Sequence, residues 1–367
     1  MDHARRLRLL LSGLDESGLD SLLVTHLPNV RYLCGFTGSA AALLVGERGS
    51  ILFTDGRYRT QAREEISTAK VGNVRILIAR KLPLVAAGEW LAARASRSVR
   101  VSVGIEPESI TAGSADRLAA VLRGKARLRS APPLVERARM TKDAEEILLI
   151  RRSVKLGAGL FRIAREKIRP GVKEFEVAAA MEYEARRSGA EGMSFSTILA
   201  AGARSAVVHG RASEALIPRR GFVVCDFGVI LAGYCSDRTR TVHVGRPSRE
   251  ARYLYQAVLE AQEAAIAVVR PGVTAAQVDG AARRVLRRCG LARYFTHSTG
   301  HGLGLEIHEA PRLSAGQNVP LEPGMAITIE PGAYVPGKWG VRIEDVVVVT
   351  SSGCEVLTPT DKELVVI

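Results

Sequence analysis

The chain has 367 residues and carries 52 Lys and Arg against 38 Asp and Glu, a formal net charge of +14 at pH 7. That length suits about two domains of roughly 100–200 residues, and no stretch approaches the run of about 18 apolar residues that a membrane-spanning helix needs. Basic pairs such as Arg151-Arg152, Arg219-Arg220 and Arg287-Arg288 are scattered and aromatics are only 5 %, so neither a specific nucleic acid nor a membrane is expected as a partner.

The first apolar run, Leu7 to Leu11, is interrupted by Arg8 and is too short for the core of a signal peptide, which predicts a cytoplasmic protein. After an amphipathic opening helix, short apolar strands are predicted at Ser21–Thr25, Ala41–Gly46, Ser50–Asp55 and Arg100–Ile105, with helical stretches such as GEWLAARAS between the last two. Alternation of this kind predicts an α/β domain over residues 1–135, ending after the Ala131-Pro132-Pro133 linker. A second domain, 136–367, then opens with helices over 142–167 and 173–188, Thr141 and the acidic residues after it marking the start. Two strands around a turn near Gly228–Gly233 follow, then helices Arg249–Val269 and Thr274–Cys289. Each helix pair is joined through Pro-Gly, Pro170-Gly171 and Pro271-Gly272, a self-similarity that suggests an internal duplication. The rest reads as strand and turn, with ITIE and VRIEDVVVV the clearest strands.

Five potential metal ligands stand in this second domain: Asp226, Asp237, His301, Glu330 and Glu344. Brought together, four carboxylates could not all stay ionised and unpaired in a buried site, because desolvation and mutual repulsion would push protons onto them. Divalent cations remove that problem. Asp226 and Asp237 are separated by a turn and could face each other across a hairpin, where opposed Cβ atoms lie about 5 Å apart. Glu330 ends one predicted strand, and Glu344 shares a face with Arg342 on the next. His301 sits in Gly300-His301-Gly302, whose glycines would let backbone and imidazole approach a metal closely. One imidazole among hard oxygens suits manganese, cobalt, iron or zinc rather than calcium. Taken singly, these residues read as turn or surface carboxylates, with Glu330 and Glu344 paired to Arg342 or Lys338. The five cysteines, an odd number without CxxC spacing, read as reduced thiols, and Cys225 and Cys235 as packing residues.

DFG followed by SDRTRTV, then STGHGLGLEIHEAPRL, EPGMAITIEPGAY and GVRIEDVVVV, resemble the signatures of the pita-bread metallopeptidases, in particular the aminopeptidase P and prolidase branch. The segments from Asn29 to Ser39 and from Thr54 to Tyr58 are similar to the creatinase-type first domain of those enzymes. The resemblance implies an α/β N-terminal domain followed by an α+β pita-bread catalytic domain, and an Xaa-Pro peptidase acting on proline-containing peptides. It further implies two divalent ions, manganese first, with cobalt, zinc or iron as alternatives, around a bridging hydroxide. Asp226 would chelate the first ion, Asp237 and Glu344 would bridge, and His301 and Glu330 would complete the second, Glu330 also shuttling the proton. His209 and His308 match the substrate-side histidines and His297 an outer one, while Arg342 would orient a carboxylate ligand. Arg312, four after His308, stands where prolidases place an arginine against the substrate carboxylate, which a guanidinium can grip with two parallel hydrogen bonds. Arg238 departs from the pattern, which has an apolar residue there.

Three activities share these features. The reading adopted is an Xaa-Pro aminopeptidase, favoured by GFTGSA and TDGRY near the N-terminus; the alternative is an Xaa-Pro dipeptidase, favoured by Arg312. A non-catalytic interaction protein on the same fold would lack some ligands, and methionine aminopeptidase normally lacks the first domain. The resemblance also implies a homodimer.

Overall fold

The computed structural model describes residues 1–94, 101–358 and 361–367. Arg100 of the fourth predicted strand, and Ala95 and Ser96 of the predicted helical stretch, lie outside the described residues. The chain divides into two compact units, Met1–Arg139 and Met140–Ile367.

In chain order the first unit contains α1 (His3–Glu16), β1 (Ser21–Val24), α2 (Leu27–Cys34), β2 (Ala41–Gly46), β3 (Gly49–Asp55) and α3 (Arg59–Thr68). Next come β4 (Val74–Ala79), α4 (Pro83–Arg94), β5 (Val101–Ile105), α5 (Ala112–Leu122), β6 (Ala126–Ser130) and α6 (Leu134–Met140). The strands form one mixed sheet of order β4-β3-β2-β1-β5-β6, antiparallel across β1, β2 and β3 and parallel elsewhere. Leu23, Leu44, Phe53 and Val103 of the sheet pack against Ala87 of α4 and Leu118 of α5. This is the predicted α/β layer, with α2, α3 and α6 and the strands β4 and β6 added to it. The entry to α2 is held from afar: the Glu106 carboxylate accepts the amides of Thr25 at 2.6 Å and His26 at 2.9 Å.

The second unit opens with α7 (Ala144–Lys167), which starts two residues later than predicted because Asp143 and Glu146 cap it reciprocally, side chain to amide at 2.9 and 3.0 Å. Then follow α8 (Glu174–Arg187), β7 (Gly192–Met193), β8 (Ile198–Ala201), β9 (Gly221–Asp226), β10 (Val229–Leu231), β11 (Tyr234–Cys235) and β12 (Thr239–Val244). After α9 (Arg249–Ala267) and α10 (Ala275–Arg288) come β13 (Gly300–Gly302), β14 (Glu309–Leu313), β15 (Ala326–Ile329), β16 (Gly332–Val335), β17 (Trp339–Arg342), β18 (Asp345–Val349) and β19 (Cys354–Val356).

The Pro-Gly helix pairs repeat in backbone detail. Gly171 and Gly272 both take positive φ, +86° and +82°. The Gly171 amide donates to the Ile217 carbonyl and the Gly272 amide to that of Leu321, each at 2.9 Å. The return bonds, Ile217 to Val172 and Leu321 to Val273, are each 2.8 Å. The first pair packs Leu160, Phe161, Val177 and Met181 on Val223, Phe227 and Val242. The second packs Leu254, Val258, Val278 and Ala282 on Ile327, Ile329 and Val347. Each helix pair therefore backs one half of the strands, and one carboxylate pair comes from each half.

Two strand expectations need correction. Across β9 and β12, Asp226 pairs with Thr239 and not with Asp237, which lies between β11 and β12. The segment VRIEDVVVV is not one strand: β17 pairs with β16 in a two-stranded sheet and β18 pairs with β15 in a five-stranded one. The pairing Gly332 with Arg342 gives way to Ile329 with Asp345, and Glu330 and Glu344 occupy the break. A ladder that changes sheet there releases two side chains from the regular alternation.

Candidate metal centre

The break in the ladder is tied to the other strands through its own backbone. The Glu330 amide donates to the Thr299 carbonyl at 2.8 Å, and the Glu344 amide to that of Thr239 at 3.2 Å. Thr299 precedes β13, which carries His301, and Thr239 follows Asp237 by two. The same bonds that close the sheets thus gather the carboxylates. In β13 a Cβ on Gly300 would stand 1.9 Å from the Thr328 carbonyl oxygen, and one on Gly302 2.2 Å from that of Ala310. These glycines serve the close approach of neighbouring backbone, rather than the approach to a metal expected from sequence.

Asp226, Asp237 and Glu344 are buried and His301 and Glu330 nearly so. His301 Nδ1 lies 3.0 Å from the Gly302 carbonyl, which can only accept, so Nδ1 carries a proton and Nε2 is the nitrogen that can face a metal or, without one, hold the second proton. Nε2 stands 3.5 Å from Asp237 Oδ2 and 3.3 Å from Glu330 Oε1. Ligand atoms of Asp237, His301 and Glu344 all lie within 4.8 Å of one another. One oxygen each of Asp226, Asp237 and Glu344 is buried without a hydrogen-bond partner among the described residues. Buried anionic oxygens without donors cost several kcal/mol unless a cation meets them, so this donor set fits divalent metal.

The electrostatics agree. Burial pushes the Asp237 carboxyl up to about 7, against the pull of His301, and raises Glu330 and Glu344 as well. Burial opposes charge on His301, yet Asp237 and Glu330 outweigh it and lift the imidazole to about 9. Cys225 and Cys235 are buried thiols pushed up to about 12, also chiefly by burial, and stay neutral at physiological pH.

Around this cluster, His209, His297, His308, Arg312 and Arg342 join the five candidate ligands in the lining of one cavity of about 630 Å³. Arg312 pairs with His301 across β13 and β14 and is exposed, as are His209 and His308. The His301 and His308 rings meet edge to face with centroids 4.5 Å apart. Partial desolvation inside the cavity, followed by His301 and His209, holds His308 below the ordinary imidazole range, so it is neutral near pH 7. Arg342 pairs with Asp226 at 2.5 Å and Lys338 with Glu250 at 2.8 Å, so neither is the partner of Glu330 or Glu344.

Sequence reasoning missed Tyr334. Its hydroxyl accepts from Arg342 Nη1 at 2.6 Å and lies 2.9 Å from His297 Nε2. Since His297 Nδ1 faces the Ser298 carbonyl at 2.8 Å, Nε2 is the acceptor and the tyrosine donates to it. Burial, then Arg342, holds His297 down to about 3, consistent with a neutral ring. The chain His297, Tyr334, Arg342 ends on Asp226 and fixes the direction of its carboxylate. A buried tyrosine in EPGMAITIEPGAY was the available signal, since its hydroxyl must find a partner. Tyr334→Phe is expected to lower activity about 10–100-fold, the usual cost of losing an outer-shell hydrogen bond. Titration with manganese should show weaker binding in step; unchanged binding and rate would remove Tyr334 from the support of Asp226.

A sequence profile of metallopeptidase family M24 matches residues 149–351, and one of the creatinase/prolidase N-terminal domain matches residues 6–141. Over 362 residues the chain is 36 % identical to a Xaa-Pro dipeptidase of Pyrococcus horikoshii, covering 98 % of each. Among solved structures, a Xaa-Pro dipeptidase from Bacillus anthracis matches with a TM-score of 0.93 and 37 % identity over 100 % of both chains. An X-Pro aminopeptidase from Thermotoga maritima matches at 0.87 and 34 % identity over 99 % of each.

Proposed function

Because the chain belongs to metallopeptidase family M24, on a pita-bread fold with a creatinase-type first domain, we propose that it is an Xaa-Pro dipeptidase. The observation that carries this reading is a single cavity in which orphaned carboxylate oxygens and Arg312 share the lining. The preference for longer peptides read from the N-terminal motifs gives way, because relatives named Xaa-Pro dipeptidase match over nearly the whole chain. An Xaa-Pro aminopeptidase is the second reading, supported by the Thermotoga maritima structure.

Asp226 would hold one ion, Asp237 and Glu344 would be shared, and His301 with Glu330 would hold the other. Two divalent ions, manganese first, would supply Lewis acidity toward the scissile carbonyl and toward the attacking water. Glu330 takes the proton released by that water and returns it to the prolyl nitrogen as the bond breaks. His308 and His209 donate hydrogen bonds to the scissile group, where negative charge develops on oxygen. Arg312 grips the prolyl carboxylate and sets the length of substrate that fits.

Hydrolysis of Ala-Pro and of Ala-Pro-Ala by the manganese-loaded protein tests the reading. The dipeptide is expected to be favoured by about tenfold or more, since a guanidinium to carboxylate pair contributes about 1.5–3 kcal/mol. Arg312→Ala should lose that advantage while leaving the tripeptide nearly unchanged, its carboxylate lying about 3.5 Å further along the chain. Equal losses on both substrates would sink the clamp, and failure to cut any Xaa-Pro bond would sink the enzyme reading itself.

A further inference from the structure

The hairpin that presents Asp226 and Asp237 carries a second unusual feature next to them. Arg238 is only 2 % exposed, and its Nε, Nη1 and Nη2 have no hydrogen-bond partner among the described residues. Its guanidinium lies over the ring of Phe161, 4.8 Å from the centroid. Arg240, two residues on, is equally buried but fully engaged: it donates to Asp345 Oδ1 at 2.7 Å, to the Thr239 carbonyl at 2.9 Å and to the Asp361 carbonyl at 3.2 Å. The other oxygen of Asp345 takes Gln262 at 2.9 Å and Lys362 at 3.3 Å. That carboxylate is therefore already shared by two cations, and it accepts no hydrogen bond from Arg238.

Such an arrangement is unbalanced. A guanidinium does not shed its proton in a protein. An aromatic face returns only a fraction of what burying an unpaired charge costs. Phe161 belongs to an apolar cluster with Cys225, Phe227 and Val242, and although Asp345 and Glu344 act on Arg238 through space, neither accepts a hydrogen bond from it. The sequence pattern calls for an apolar residue at this position, which that cluster would accommodate directly. An arginine there needs an anion.

We propose that Arg238 binds a small inorganic anion of the halide class in a buried site beside the segment that presents Asp237. A single-atom anion suits a fork of donors set against an aromatic ring, whereas an oxyanion would need further donors to satisfy its remaining oxygens. The consequence reaches the metal ligands through the backbone. The Arg238 carbonyl accepts the Phe227 amide at 3.0 Å, so an occupant that fixes Arg238 also fixes the connection between the residues following Asp226 and preceding Thr239.

The test compares apparent Tm of the full-length, manganese-loaded protein in sodium chloride, sodium bromide and sodium gluconate at equal ionic strength, gluconate being too large for a closed site. Either halide should raise Tm by about 2–4 °C, saturably, and the rise should vanish in Arg238→Met. Crystals of the unaltered protein grown in bromide should show anomalous scattering within hydrogen-bonding distance of the guanidinium, a result that does not depend on the variant folding. An equal halide response in Arg238→Met, or crystals without that peak, overturns the proposal.

Discussion

Asp237→Asn should reduce hydrolysis of an Xaa-Pro dipeptide by about 10³-fold or more, and lower bound metal with it, while making the metal-free protein more stable. The two halves of this result have one cause. Asp237 is buried, one of its oxygens has no donor, and the negative charges of Asp226 and Glu330 repel it, with Glu344 close by. Asparagine keeps the shape but removes the charge, so the repulsion and the desolvation penalty fall together. It also removes an anionic donor that a divalent ion would need. Metal content by atomic emission and melting after chelation read the two effects separately. A variant that is inactive and also less stable without metal would show a structural role for Asp237; full activity with normal metal content would end the two-ion reading.

Much of the site was legible because its chemistry is carried by residue type. Carboxylates beside a strand end, a histidine between glycines and an arginine four residues after a histidine can be seen without coordinates. The geometry that unites them was less visible. VRIEDVVVV is apolar on both faces over much of its length, so two-residue alternation gives no sign of a sheet change at Ile343 and Glu344. Tyr334 was hidden for another reason: its partners, His297 and Arg342, are brought to it by folding. The entry to α2 likewise depends on Glu106, about 80 residues away in sequence. The Pro-Gly helix pairs were readable from local turn chemistry, and the structure extends the repeat to matching bonds at Ile217 and Leu321.

Stability of the metal-free protein should fall as pH rises from about 6.5 to about 9, and the metal-loaded protein should diverge from it increasingly. Burial places Asp237 at about 7 and raises Glu330 and Glu344, while the carboxylates overcome burial to place His301 at about 9. All four folded values exceed their unfolded ones, while His297 and His308, whose folded values are lowered, oppose them only below the unfolded imidazole value of 6.5, so above it the native state binds more protons than the unfolded state. Stability then decreases with pH, each contribution being complete below the unfolded value and lost through the folded one. Metal competes for the same groups in their deprotonated form, so its affinity should drop by about tenfold per pH unit for every proton it must displace. Melting with manganese and with chelator at pH 5.5, 7 and 8.5 should show a gap in Tm that widens with pH. Calorimetry in buffers of different ionisation enthalpy should show protons released on loading. A constant gap with no proton release would mean that the cluster is already ionised without metal, and that the unpartnered oxygens are balanced by something other than a cation.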